Sequence, residues 1–375
     1  MRAWAVAATL FAFCGSAPAQ APQPPLVAGR AFVLTDLSSG QMLAESHADE
    51  RLEPASLTKL MTAYVVFGAL HDGRIAPGEQ VQVSEHAWHA PGSRTFLEPG
   101  KPVSVDTLVR GMVVQSGNDA SIALAEAVAG SEPQFAELMN REAARLGLRN
   151  THFANATGLP AEQHYSTARD LGRVAVALID DFPAEYLRYF GQKAFTYNGI
   201  EQMNRNRLLW LDPSVDGVKT GHTDAAGYCL VASSDRGGRR LVSVLLGTDS
   251  DAARARESLK LLNWGYQFFD GVRLYAAGQS VKSVEVWKGA EDAVNAGFAR
   301  GLVVTVPKGE AKQLHAELLT RPPVLAPVKK GDQVGVLRVA LEGRPLGEYP
   351  VQALQSVPQA GILGRAWDTL RLWIQ

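Results

Sequence analysis

Hydrophobic residues recur along the chain at two different spacings. Between residues 54 and 178 they recur every three or four positions, the period of an amphipathic helix, which predicts helices over 54–70, 105–114, 119–128, 133–146 and 167–178. Short runs of strand character lie on both sides of this stretch, at 31–34, 41–45, 228–233 and 240–246. One more helical pattern follows at 252–269. Strands at both ends of a helical middle predict an α+β fold.

The pattern changes after residue 270. The apolar runs become short and alternating, with Gly or Pro between them, at 281–287, 302–306, 333–341 and 349–354. Such runs are typical of a small all-β domain. We therefore predict two domains, 26–270 and 271–356, with a boundary near Asp270–Gly271.

The last segment, 357–375, has helical spacing again. One arc of the predicted helix is apolar and the opposite arc carries Arg365, Asp368, Thr369, Arg371 and Gln375. Two Trp on the apolar arc, Trp367 and Trp373, favour an amphipathic helix that lies in a membrane interface, because the segment is too short and too charged to span. Packing against the chain's own β domain is the alternative.

The first nineteen residues have the pattern of a secretory signal peptide. Arg2 precedes an apolar run over 4–13, and the small residues Ala17 and Ala19 occupy the positions expected before a cleavage site. We predict cleavage after Ala19; a buried N-terminal helix is the alternative.

Composition excludes several classes of protein. The 375 residues include 37 Lys and Arg against 38 Asp and Glu, so the net charge of −1 gives no basic footprint for nucleic acid. Cys14 and Cys229 form no disulfide framework and lack metal-ligand spacing, and His86 and His89 have no third ligand near them. We expect no cofactor and no nucleic-acid partner.

Ser56 and Lys59 begin the first predicted helix. A spacing of three places both side chains on one helical face, and the positive end of the helix dipole favours an alkoxide on Ser56. A desolvated lysine with a lowered pKa is able to deprotonate a serine hydroxyl. In isolation the pair also fits a capping serine and a surface lysine.

Two further groups have suitable chemistry. Ser116 and Asn118 lie in a predicted loop between helices, where a hydroxyl relays protons and an amide holds a carbonyl, although either residue also serves as an N-cap. The triplet Lys219-Thr220-Gly221 lies at the start of the later strands. An edge strand there would take an extended peptide, with Lys219 and Thr220 on its carboxylate and the backbone N–H groups of Ser56 and His222 around an oxyanion.

These motifs occur together and in order, separated by 60 and 103 residues. Their surroundings extend the pattern: EPASLTKLMT at 53–62, residues 115–120, HYSTARD at 164–170, residues 204–206 and VDGVKTGHT at 215–223. The chain resembles the D-alanyl-D-alanine carboxypeptidases, the low-molecular-mass penicillin-binding proteins. The resemblance implies a penicillin-binding protein/β-lactamase-like transpeptidase domain, followed by that family's β domain and terminal anchor.

The resemblance also implies a mechanism. Ser56 would attack the bond between the two terminal D-alanines of a peptidoglycan stem peptide, with Lys59 as base and Ser116 and Lys219 assisting the leaving amine. Asn118 would orient the substrate, Lys219 and Thr220 would bind its carboxylate, and β-lactams would acylate the same serine. By the same resemblance Arg205 and Arg254 contribute to the carboxylate site; surface salt bridges are their alternative.

The rivals are a β-lactamase, a D,D-endopeptidase and a non-catalytic wall-associated scaffold. A β-lactamase commonly supplies a second base in a Glu-x-x-Leu-Asn segment, whereas Glu162 is followed by Gln163-His164-Tyr165. Gly117 replaces an aspartate that many β-lactamases carry, as is usual in the carboxypeptidase branch. We predict a periplasmic carboxypeptidase attached peripherally to the inner membrane.

Overall fold

The computed structural model describes residues 22–320 and 323–361. The helices are α1 (Lys59–His71), α2 (Glu85–Trp88), α3 (Val105–Arg110), α4 (Asn118–Ala129), α5 (Glu132–Arg145), α6 (Ala168–Asp181), α7 (Pro183–Tyr189), α8 (Leu208–Leu211) and α9 (Asp251–Phe268). The strands are β1 (Ala31–Asp36), β2 (Gln41–Ser46), β3 (Gln80–Gln82), β4 (Pro102–Ser104), β5 (Ala194–Tyr197), β6 (Ile200–Met203), β7 (Val215–Thr223), β8 (Gly227–Arg236), β9 (Arg239–Thr248), β10 (Phe269–Tyr275), β11 (Ser280–Trp287), β12 (Ala293–Gly297), β13 (Leu302–Pro307), β14 (Leu314–Leu319), β15 (Val324–Leu325), β16 (Gln333–Leu341) and β17 (Arg344–Ala353).

A five-stranded antiparallel sheet in the order β2-β1-β9-β8-β7 organises the first part of the chain. Leu230 and Ala232 of β8 pack on one face with α9, whereas Val231 packs on the other face with the helical cluster. This alternation follows from the two-residue period of a strand. Because both faces are covered, β8 and β9 are buried along most of their length.

The first predicted helix is divided. Residues Ala55–Thr58 form a 3₁₀ turn, and the α-helix begins only at Lys59. Ala55 has a left-handed φ of 48°, which interrupts regular helical geometry ahead of Ser56. α1 itself is buried on nearly all sides, as expected of a helix that is apolar all round.

The helix predicted over 105–114 also changes character. α3 ends at Arg110, and Gly111–Gln115 form one turn of π-helix that stops at Ser116. Ser116 adopts the left-handed conformation, with φ 66° and ψ 33°, and so ends the helix. The short helices α2, α7 and α8 were not predicted, because four to seven residues are too few to establish a period.

The second part of the chain is all-β. Six strands form one sheet in the order β14-β16-β17-β12-β11-β15, and β10 pairs with β13. Val294, Val304, Val339, Val351 and Val357 are among the residues that form its separate apolar core. The predicted order of an α+β part followed by an all-β part is confirmed.

The two parts meet at a polar contact. The buried Asp36 carboxylate accepts hydrogen bonds from Arg239 Nε and Thr305 Oγ1, each at 2.8 Å. Gln41 Nε2 donates to the Thr305 carbonyl at 3.1 Å. β10 continues through the predicted boundary: Phe269 packs with the first part and Val272 with the second. The boundary near Asp270–Gly271 stays a prediction.

Both predicted membrane-related segments fall largely outside the described residues. These are the signal peptide over 1–19 and residues 362–375 of the terminal helix. Residues 357–361, which the prediction placed in that helix, instead extend the β domain: Val357 bridges Val328 and Gln359 bridges Gly289. The reason is that Val357 is buried in the β core. Within 22–320 and 323–361, no helix has the length and apolar composition to cross a bilayer.

Candidate active site

A cleft of about 720 Å³ lies between the 3₁₀ turn, the loop before α4 and strand β7. Of the ten predicted site residues, eight line it: Ser56, Ser116, Asn118, Arg205, Thr220, Gly221, His222 and Arg254. The other two, Lys59 and Lys219, are buried side chains of α1 and β7. The three motifs, distant in sequence, therefore meet at one site.

Lys59 is hydrogen-bonded to the candidate nucleophile. Its Nζ lies 3.1 Å from Ser56 Oγ, 2.7 Å from Asn118 Oδ1 and 2.5 Å from the Thr157 carbonyl oxygen. The two side chains are one turn apart, as the spacing of three predicted. The Asn118 and Thr157 oxygen atoms thus hold the Lys59 amine in position beside the Ser56 hydroxyl.

Burial lowers the pKa of Lys59 to about 7. The positive charge of Arg205 acts in the same direction, while the carboxylates of Asp119 and Glu132 oppose the decrease. A lysine with a pKa near neutrality is partly deprotonated at physiological pH and is able to accept a proton. This environment supplies the neutral amine that an ordinary surface lysine lacks.

Ser116 lies in the break between the π-helical turn and α4, as predicted, whereas Asn118 is the first residue of α4. Ser116 Oγ is buried and makes no hydrogen bond with any described residue, so it is available to a ligand in the cleft. Asn118 Nδ2 donates to the Pro91 carbonyl at 2.6 Å, and its Oδ1 accepts from Lys59. Asn118 thus ties Lys59 to the loop that carries Gly92 and Ser93, which also line the cleft.

Gly117 has a steric reason to be glycine. A Cβ at this position would lie within clashing distance of the buried Thr95 Oγ1 and 2.8 Å from Asp119 Oδ1. Asp119 is itself held by the backbone N–H groups of Thr95 and Leu97. An aspartate side chain therefore has no space here, which accounts for the departure from the β-lactamase pattern.

We expect Gly117→Ala to destabilise the protein by roughly 1–3 kcal/mol, the usual range for overpacking a buried position. Urea denaturation measures this change. Gly68→Ala is the matched control, because a Cβ in the middle of α1 would meet only Phe182 Cζ at 3.9 Å. Alanine there is expected to be neutral or to stabilise by up to about 1 kcal/mol. Equal effects of both substitutions would contradict the packing argument.

β7 is an edge strand of the sheet, as the sequence predicted. Lys219 Nζ donates to the Thr220 carbonyl at 2.9 Å. Burial and the positive charges of Lys59, Arg205 and Arg254 hold the pKa of Lys219 well below its usual range. Gly221 permits close contact with the 3₁₀ turn, since a Cβ there would be 3.2 Å from the Pro54 carbonyl oxygen.

The two arginines differ from each other. Arg254 is buried: its Nη1 donates to the Gly221 carbonyl at 3.2 Å, and its Nη2 is paired with Asp251. Arg205 is exposed in the cleft and has no hydrogen-bond or ion-pair partner among the described residues. The two guanidinium groups give the cleft positive charge, which suits a carboxylate ligand. The alternative considered for Arg254 is a surface salt bridge. Its ion pair with Asp251 instead involves a buried guanidinium.

Sequence reasoning missed several cleft residues. Thr157 supplies the carbonyl that binds Lys59, and Asp251 pairs with Arg207 and Arg254. The Tyr228 ring is tilted against the His222 ring, with the ring centroids 4.0 Å apart. The only sequence signal near Thr157 is the pair Asn155 and Gly158, two residue types that are common in turns. Within the described part of the chain, no group of three or more His, Cys, Asp or Glu side chains is arranged to hold a metal.

Comparison with known proteins agrees with this geometry. The sequence pattern of the Peptidase_S11 family, D-alanyl-D-alanine carboxypeptidase, matches residues 18–250. That of the penicillin-binding protein 5 C-terminal domain matches residues 269–359. The chain is 46% identical over 367 residues to the D-alanyl-D-alanine carboxypeptidase DacC of Escherichia coli K12, covering 96% of this chain and 92% of the relative.

Solved structures give the same result. Penicillin binding protein 5 from Haemophilus influenzae superimposes with a TM-score of 0.84 at 39% identity, over 90% of this chain and 100% of that one. Penicillin-binding protein D2 from Listeria monocytogenes, in its ampicillin-bound form, superimposes with a TM-score of 0.60 at 30% identity, over 65% of this chain and 100% of that one. Because one family pattern spans most of the chain and a relative of this identity spans nearly all of it, the protein belongs to the D-alanyl-D-alanine carboxypeptidase family.

Proposed function

We propose that this protein removes the terminal D-alanine from peptidoglycan stem peptides through an acyl-enzyme on Ser56. The observation that carries the proposal is the 3.1 Å contact between Lys59 Nζ and Ser56 Oγ, with the lysine pKa lowered to about 7. Neutral Lys59 takes the hydroxyl proton as Ser56 Oγ attacks the carbonyl carbon between the two D-alanines. The backbone N–H groups of Ser56 and His222, both on the cleft wall, face the developing oxyanion.

The second half of acylation needs a proton on the leaving amine. The Ser116 hydroxyl, which has no hydrogen-bond partner among the described residues, lies in the cleft with Asn118, which contacts Lys59. In our proposal the proton held by Lys59 passes through Ser116, supported by Lys219, to the amine nitrogen as its bond to the carbonyl carbon breaks. Free D-alanine departs, and a water molecule then hydrolyses the ester on Ser56 to release the shortened peptide.

The substrate's terminal carboxylate meets the positive end of the cleft. Thr220 offers a hydroxyl there, Arg205 has no hydrogen-bond or ion-pair partner among the described residues, and Arg254 adds positive charge. Lys219, buried beside Thr220 on the same strand, is a further hydrogen-bond donor. An extended peptide added alongside edge strand β7 would place its C-terminus near these groups. This arrangement explains why the bond cut is the last one of the peptide.

The direct test incubates residues 20–375 with a pentapeptide ending in D-Ala-D-Ala and measures free D-alanine. We expect D-alanine release, and no cleavage of a pentapeptide whose C-terminus is amidated, followed by mass spectrometry as release of D-alaninamide, because the amide lacks the carboxylate that the cleft binds. No D-alanine release from the free-acid peptide by folded protein would contradict the proposed function, and equal cleavage of both peptides would contradict the role given to the carboxylate.

A parallel sample tests β-lactam turnover. Asp251 is the acidic residue that lines the cleft, and its carboxylate is held by Arg207 and Arg254, so no free carboxylate among the described cleft residues is positioned to drive deacylation. We therefore expect a fluorescent penicillin adduct that lasts minutes or longer. Rapid turnover of the penicillin without D-alanine release would favour the β-lactamase alternative instead.

We also propose that the protein works in the periplasm, attached peripherally to the inner membrane by residues 362–375 of the helix predicted over 357–375. Support comes from the two Trp on one arc of that segment. Leu363→Glu with Trp367→Glu should release the protein from sedimenting vesicles of phosphatidylglycerol and phosphatidylethanolamine. Thr369→Glu, on the polar arc, is the control and should keep binding. Binding unchanged by the double substitution would overturn the anchor.

A further inference from the structure

His164 is a buried histidine that contacts two separate walls of the active site. Its Nε2 lies 2.8 Å from Thr58 Oγ1, in the turn that carries Ser56. Its Nδ1 lies 3.0 Å from the backbone nitrogen of Ala154. The ring is 5% exposed and does not line the cleft, so it reaches substrate from neither side.

The hydrogen bonds define the form of the ring. The Ala154 N–H can only donate, so Nδ1 is the acceptor and carries no proton. Nε2 then carries the proton of the neutral ring and donates to Thr58 Oγ1. Burial lowers the pKa of His164 to about 4, with smaller contributions from His152 and Lys59, which keeps the ring neutral at physiological pH. In a protonated ring Nδ1 would carry a hydrogen that faces the hydrogen of the Ala154 N–H, so this hydrogen bond would be lost.

The segment 154–158 provides a hydrogen-bond acceptor for Lys59. Its Thr157 carbonyl accepts from Lys59 Nζ at 2.5 Å. Thr62 Oγ1 donates to the Ala156 carbonyl at 2.7 Å, and the Ala156 N–H donates to Glu132 Oε1 at 3.0 Å. His164 holds the start of this segment and also holds Thr58, the residue directly before Lys59.

We infer that His164 is a positioning residue: its neutral imidazole sets the distance between the Thr58 turn and segment 154–158, and thereby holds Lys59 buried against Ser56. The inference rests on the proposed function, since it concerns how the proposed base is kept in place. Gly158 shows how close the two walls are, because a Cβ there would collide with the Ala55 carbonyl oxygen. Few alternative arrangements of the segment fit against the turn.

Loss of the bridge has a defined consequence. Without it, segment 154–158 separates from the turn and water reaches Lys59. Because burial is the largest cause of the lowered pKa of Lys59, hydration moves that pKa upward. The other charges that face Lys59, from Arg205, Asp119, Glu132 and Lys219, lie on other elements, and of these Glu132 contacts the segment, through the Ala156 N–H. The pH at which acylation is half-maximal therefore rises.

The test measures the second-order rate of acylation by a fluorescent penicillin from pH 5 to 10 on the full mature chain. We expect His164→Leu to lower the rate at pH 7 by roughly 10²-fold, as small displacements of reacting groups do, and to move the midpoint upward from about pH 7. His164→Gln should restore both, because its carbonyl is able to accept from Ala154 and its amide to donate to Thr58. His152→Leu, at an exposed neighbouring histidine, should change neither.

A midpoint that stays at the wild-type value in His164→Leu would overturn the inference, as would equal losses in the Leu and Gln variants. Should His164→Leu fail to fold, His164→Asn takes its place, because its shorter amide does not reach both partners. Equal midpoints for Asn and Gln would then overturn it. D-alanine release by the wild type is measured in the same series, so that failure of the proposed function is distinguished from failure of the role inferred for His164. Absence of D-alanine release by the wild type would contradict the proposed function itself.

Discussion

Ser56→Ala is expected to abolish both labelling by a fluorescent penicillin and D-alanine release, with a loss of roughly 10⁴-fold or more. The reason is that alanine has no oxygen to attack the carbonyl, and effects of this size follow removal of the nucleophile in serine hydrolases. Gel fluorescence measures the labelling, and a coupled assay measures the D-alanine.

The substitution removes one oxygen atom from the wall of an open cleft, so the fold should persist. Circular dichroism and the thermal unfolding temperature check this. Ser283→Ala, at an exposed serine of β11, is the control and should label like the wild type. Persistent labelling of folded Ser56→Ala protein would remove Ser56 from the proposed mechanism.

The second large effect is the pH dependence of acylation. With the pKa of Lys59 near 7, its neutral form dominates above pH 7 and falls about tenfold for each pH unit below it. We expect the acylation rate to follow that fraction, so that at pH 5 it is roughly 100-fold below its plateau. Stopped-flow or quenched labelling over pH 5–9 provides the measurement.

Lys59→Arg sharpens this test. A guanidinium stays protonated throughout this range, so the variant should acylate slowly at every pH. Lys101→Arg, at an exposed ion pair with Glu98, is the control and should keep the wild-type profile. A wild-type rate that is flat from pH 5 to 9, or an active Lys59→Arg enzyme, would contradict the assignment of Lys59 as base.

Local spacing explains how much of the site could be predicted. Ser56 and Lys59 are three residues apart, across the 3₁₀ turn and the start of α1, and Lys219 lies on the edge strand expected at the start of the later strands. The resemblance of the motifs then identified the family and the carboxypeptidase activity, both of which the comparisons confirm.

Contacts between distant segments explain what was missed. The Thr157 carbonyl approaches Lys59 across 98 residues, and His164 contacts Thr58 across 106. No period or turn signal in one sequence specifies such pairings, because they arise only when the helices pack. The same holds for the 3₁₀ turn at Ser56. The helical period is present from residue 54, but Ala55 has a left-handed φ, and its carbonyl oxygen lies so near Gly158 that a Cβ there would collide with it.

Some predictions stay predictions. The signal peptide over 1–19 and the terminal anchor lie mostly outside the described residues, and the roles of individual cleft residues rest on geometry. Cys229 is a buried residue of β8, where burial raises the pKa of its thiol to about 11.

The most direct test of the central claim is to locate the covalent adduct. The mature protein is treated briefly with benzylpenicillin, digested, and analysed by tandem mass spectrometry. The account predicts a penicilloyl group on Ser56, and its absence from that peptide in Ser56→Ala. An adduct on Ser116 or any other residue, with Ser56 unmodified, would contradict it.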